Sequence, residues 1–183
     1  LEGVCNSYSD GYHYIDYEFS CDFCEYFEDA VFKWFDLLKE KKQYSLAFKF
    51  LLKAYDMLDK LDIDDNEGET YELSFSIINA CSDIIMCMED SERINAFNLL
   101  KQFLDNIRYY YDRVDILQVF FNSLKGEDFL KLQLDFVKEQ LDYIDSHNDI
   151  LDREYVLDDF AKMYLDLLRK NNVSNQEINV IYK

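Results

Sequence analysis

The chain contains no proline, and only four of its 183 residues are glycine. These two residues build most tight turns, because proline presets a turn dihedral and glycine supplies left-handed backbone at little cost. A turn-rich β sandwich is hard to make without them, whereas helices joined by short polar turns are easy. The fold expected is therefore all-α. Apolar side chains make up 49% of the chain, too many for a disordered polypeptide. The length suits a single hydrophobic core. No run approaches the roughly 18 uncharged apolar residues that a membrane span requires.

The hydrophobic period divides the chain. Residues 1–23 show no clean repeat and read as an irregular acidic arm. Residues 24–183 read as one all-α domain, an array of antiparallel helical hairpins or an irregular bundle of about seven helices. Phe27, Ala30, Val31, Trp34, Leu37 and Leu38 recur at three and four. After "KEKKQ", a second helix carries Tyr44, Ala47, Phe48, Leu51, Leu52, Tyr55 and Leu58 on one face. Thr70 is the expected N-cap of a third helix over 71–88, which is apolar nearly all round and so expected to be buried between neighbours. Ser91 is the expected cap of a fourth. Three more helices follow, and "NNVSNQEINVIYK" reads as the start of another. The expected core includes Trp34, Ala47, Leu51, Ala54, Ile77, Ile78, Ile84, Phe97 and Leu100.

The run Tyr44-x-x-Ala47-x6-Ala54, with Leu51 between, resembles the second helix of a tetratricopeptide repeat, in which small residues let paired helices approach closely. Trp34 and Leu38 fall at that motif's bulky packing positions on the preceding helix, and Phe35 stands where it prefers Gly. The resemblance covers residues 28–60. It implies a peptide-binding groove presenting Asp29, Phe32, Lys33 and Asp36.

The formal net charge of −19 is concentrated. Residues 1–32 hold eight acidic side chains and residues 61–92 hold ten, with no Lys or Arg in either block. Direct nucleic-acid binding needs the opposite sign, since Lys and Arg neutralising phosphates supply most of that affinity. A basic protein or peptide is the partner such a surface attracts. The acidic loop residues Asp62, Asp64 and Asp65 join the groove residues as candidate partner contacts.

Motifs for chemistry are sparse. Cys5, His13, Cys21 and Cys24 could in principle ligate zinc, but Cys5 and His13 lack a recognisable spacing and the nearby carboxylates raise thiol pKa. "DIDDNEGETYEL" imitates a calcium loop with Asp62, Asp64 and Asn66. Its glycine, Gly68, comes one place late, and Leu73 stands where the terminal Glu belongs. Neither a metal nor a cofactor is expected. No phosphate loop, HExxH, GxSxG or triad order is visible. The five cysteines show no disulfide framework and point to a reducing, cytoplasmic setting. The opening residues lack the basic and apolar regions of a signal peptide, although a start at Leu leaves a removed signal open.

The expected function is a non-enzymatic scaffold that binds a protein or peptide. Two alternatives stand beside it: an acidic decoy that inhibits a nucleic-acid-binding protein by imitating phosphate charge, and an all-α enzyme without a recognisable motif.

Overall fold

The computed structural model describes residues 1–8, 14–65, 68–107, 110–147 and 150–171. Among them are eight helices: α1 Glu2–Tyr8, α2 Tyr17–Glu40, α3 Tyr44–Asp59, α4 Glu69–Met86, α5 Asp90–Leu104, α6 Tyr110–Ser123, α7 Glu127–Ser146 and α8 Arg153–Lys170. Two short strands, β1 Tyr14–Ile15 and β2 Asp62–Ile63, pair in parallel with Tyr14 opposite Asp62 and Ile15 opposite Ile63. The protein is all-α. Among the described residues, no helix is long and apolar enough to cross a membrane. The chain falls into two compact units, Leu1–Ile107 and Arg108–Lys183; the periodicity of the sequence marks no boundary there.

The first unit is organised around α3. This helix packs on α2 and most extensively on α4, α2 also touches α4, and α3 reaches α5. The α2–α3 turn closes with Lys42 in left-handed backbone (φ 56°) while the Gln43 N–H donates to the Leu38 carbonyl at 2.9 Å. Ala47, Leu51 and Ala54 are fully buried, so the short side chains of α3 sit where its neighbours press closest. Ile77, Ile78, Ile84, Phe97 and Leu100 are buried as expected.

Trp34 is not in the core: it is 56% exposed. The buried stripe of α2 is instead Phe23, Phe27, Val31 and Phe35, spaced every four residues. Because α2 begins at Tyr17, its N-terminal half sets the face that packs, and Trp34 lies about 100° round the helix from Phe35. The segment expected to be an irregular arm carries, among its described residues, α1, β1 and the first turns of α2. Its α1 packs on α2 through an edge-on Tyr8–Phe23 contact, and Ile15 of β1 is fully buried. Nor is α4 buried all round, since Tyr71, Phe75 and Met86 are exposed along it.

Helix termini also differ from expectation. α4 starts after Gly68 (φ 88°), with Asp65 rather than Thr70 supplying the capping carboxylate. α5 starts after Glu89, whose N–H donates to the Glu92 carboxylate at 3.4 Å. In both units an arginine in the first turn of one helix ties down the exposed carbonyls that end another. Arg93 donates to the Ile85 and Met86 carbonyls, each at 3.2 Å, and Arg153 to those of Ile144 at 3.0 Å and Asp145 at 2.6 Å.

The second unit has α8 packed on α7 and on α6. Its core includes Leu117, Phe120, Val137, Ile144, Val156 and Phe160. Among the described residues the one buried amide side chain, Gln133, donates to the Leu124 carbonyl at 2.8 Å, which meets the need of a polar group taken out of water.

Candidate functional site

Helices α2 and α4 leave a shallow trough of about 400 Å³ between them in the first unit. Glu28, Phe32 and Phe35 form the α2 wall, and Ser76, Asn79, Ala80 and Asp83 the α4 wall. Residues four apart share a helix face, which is why Glu28 and Phe32 on one wall, and Asn79 and Asp83 on the other, address the same space. Phe32 is half-buried; its ring meets that of Phe35 edge-to-face at 6.1 Å and 89°. Among the described residues, no Lys or Arg lines the trough. An apolar floor between carboxylates has the character of a cation-accepting surface.

Of the four groove residues the motif predicts, Phe32 lines this trough. Asp29 and Asp36 are exposed one turn to either side of it on α2, and Lys33 is exposed about 100° further round. The second wall was not foreseen. Asn79 and Asp83 were its only sequence signal, two polar residues interrupting an apolar run and spaced to share one face.

The acidic loop behaves differently. Asp62, on β2, is exposed, and Asp64 accepts from the Tyr14 hydroxyl at 3.4 Å. Asp65 turns inward, accepting from the backbone N–H groups of Gly68 (2.7 Å), Glu69 (3.2 Å) and Thr70 (2.9 Å) and from the Thr70 hydroxyl. Partial burial opposes ionisation of this carboxyl. The hydrogen bonds from Thr70, Glu69 and Gly68 outweigh it and hold the group well below the usual carboxylate range. Asp65 is thus the cap of α4, and only Asp62 and Asp64 of the loop trio offer their charge outward.

The cysteines divide by position. Cys5, Cys24 and Cys81 are buried, Cys21 and Cys87 are exposed, and none is in a disulfide. Burial, reinforced by Asp65 and Glu69, pushes the Cys24 thiol up to about 12. His13 lies outside the described residues, and so do Asn66 and Glu67 of the calcium-like loop. Among the described residues, no three His, Cys, Asp or Glu side chains are grouped to hold a metal ion.

No protein-family model, no curated protein and no solved structure matches this chain.

Proposed function

We propose that the protein is a binding scaffold that takes a basic peptide segment of a partner protein in the α2/α4 trough. In this reading α2–α3 and α4–α5 act as successive tetratricopeptide-like hairpins, and the trough lies between their first helices. The observation that carries the proposal is the composition of the two walls: an aromatic floor, one carboxylate from each helix, and no cation among the lining residues. Phe32 is the anchor. It combines apolar area with a half-buried setting, the combination that concentrates binding energy in few side chains. The surrounding carboxylates raise the encounter rate of a positive segment and orient it.

The experiment compares affinity against salt for a basic peptide selected from an array, using wild type, Phe32→Ala, and a variant carrying Asp62→Asn and Asp64→Asn. Asp65 is left intact because altering it would disturb α4. The proposal expects a shallow salt slope, a loss of tenfold or more in Phe32→Ala, and near-normal binding in the loop variant. A steep slope with loss confined to the loop variant would instead support the phosphate-imitating decoy, in which charge is spread and no residue dominates.

A further inference from the structure

The geometry points to arginine, rather than basic character in general, as the side chain that the α2/α4 trough selects; the inference rests on the peptide-groove reading above. The trough supplies one carboxylate from each wall, Glu28 from α2 and Asp83 from α4. Phe32 stands one turn beyond Glu28, braced by Phe35 at 6.1 Å. A ring that shares a trough with a carboxylate from each wall favours a cation that is flat enough to lie on the ring and can donate from more than one edge at once.

Guanidinium meets both conditions. It is planar, weakly hydrated, stacks on aromatic faces, and presents five N–H donors in a rigid fork. An ammonium is a compact, strongly hydrated point charge that satisfies one wall at a time and keeps its water. Ser76 and Asn79 add side-chain oxygens on the α4 wall that can accept from the same fork. The aromatic pair already attracts a cation from its own helix: the Lys39 ammonium lies 5.6 Å from the centre of the Phe35 ring. The trough is thereby a reader of arginine in an extended or loop segment of the partner. Methylation of that arginine, which keeps the charge but blocks part of the donor fork, would weaken binding.

The test uses three fluorescently labelled peptides built from repeated Arg-Gly-Ser, Lys-Gly-Ser or citrulline-Gly-Ser triplets. Citrulline keeps the shape of arginine and removes its charge. Binding is read by anisotropy at low salt and at about 0.3 M salt, where the Debye length falls to about 6 Å and diffuse attraction is largely screened. At the higher salt the arginine peptide is expected to bind at least fivefold tighter than the lysine peptide, and the citrulline peptide not detectably. Phe32→Ala, and Glu28→Gln combined with Asp83→Asn, should each abolish that preference; Asp62→Asn combined with Asp64→Asn should leave it. The carboxylate changes preserve shape at exposed positions, so an unchanged circular dichroism spectrum separates lost recognition from lost fold. Equal affinity for arginine and lysine, or a preference that survives Phe32→Ala, overturns the inference while leaving a peptide groove standing. Failure of all three peptides to bind at low salt overturns the groove reading and this inference with it.

Discussion

A carboxylate that accepts three backbone N–H bonds has little left to offer a partner, and Asp65 is such a group. In the sequence it is one of three loop aspartates with equal claims on a cation; charge is visible there, but the direction of a side chain is not. Asp65→Ala should cost about 1–2 kcal/mol of stability, the usual range for loss of a strong N-cap, while Asp62→Ala should cost almost nothing. The sign of the pH dependence follows from the lowered pKa. The cap's contribution is complete above the ordinary carboxylate range and is lost as acid protonates the folded group. The gap in urea midpoint between wild type and Asp65→Ala should therefore be full near neutrality and narrow below about pH 4. A gap that widens in acid would defeat the assignment. The thiols give a second test at this scale. Iodoacetamide should modify Cys21 and Cys87 in the folded protein, whereas Cys5, Cys24 and Cys81 should react only after unfolding, as peptide mapping by mass spectrometry would show.

Helices were legible because their period is long and their breakers few, whereas the face that each helix buries was less so. In α2 two stripes compete: one through Phe27, Val31, Trp34 and Leu38, the other through Phe23, Phe27, Val31 and Phe35. A start at Cys24 leaves out Phe23 and favours the first. A start at Tyr17 adds Phe23 and makes them evenly matched, and tertiary packing buries the second. The tetratricopeptide resemblance pointed to Phe32, yet its packing position at Trp34 is exposed. The α4 wall was hidden for another reason: Ser76, Asn79 and Asp83 meet Phe32 only through tertiary packing of α4 on α2, which no local pattern encodes. Stability measurements can check which stripe packs. Trp34→Ala should shift the free energy of unfolding by less than about 1 kcal/mol, since a surface truncation leaves no cavity. Phe35→Ala should cost about 3–5 kcal/mol. The reverse order would restore the motif's register and displace Phe35 from the core.

Charge is partitioned between the two compact units more unevenly than their lengths require. The first, Leu1–Ile107, carries 23 acidic and nine basic residues, a net of −14; the second carries 15 and ten, a net of −5. Two like charges 10 Å apart repel by about 0.4 kcal/mol in water, so the many pairs implied by −14 sum to an appreciable strain on the compact state. That strain is the thermodynamic counterpart of a surface that attracts cations, and the trough lies within the unit that bears it. Screening relieves repulsion only when the Debye length drops below the charge spacing. Raising sodium chloride from about 0.02 M to 0.5 M takes it from roughly 20 Å to about 4 Å. The thermal midpoint of the first unit should therefore rise with salt, and that of the second should change less. Hydrogen exchange resolved by segment reads the two separately within the intact chain: amides of α2, α3 and α4 should gain protection across this range, and those of α7 and α8 should gain markedly less. Equal gains in both units would mean that the excess carboxylates of the first are already compensated by local contacts, and an uncompensated negative surface around Phe32 could then no longer be the source of attraction for a basic partner.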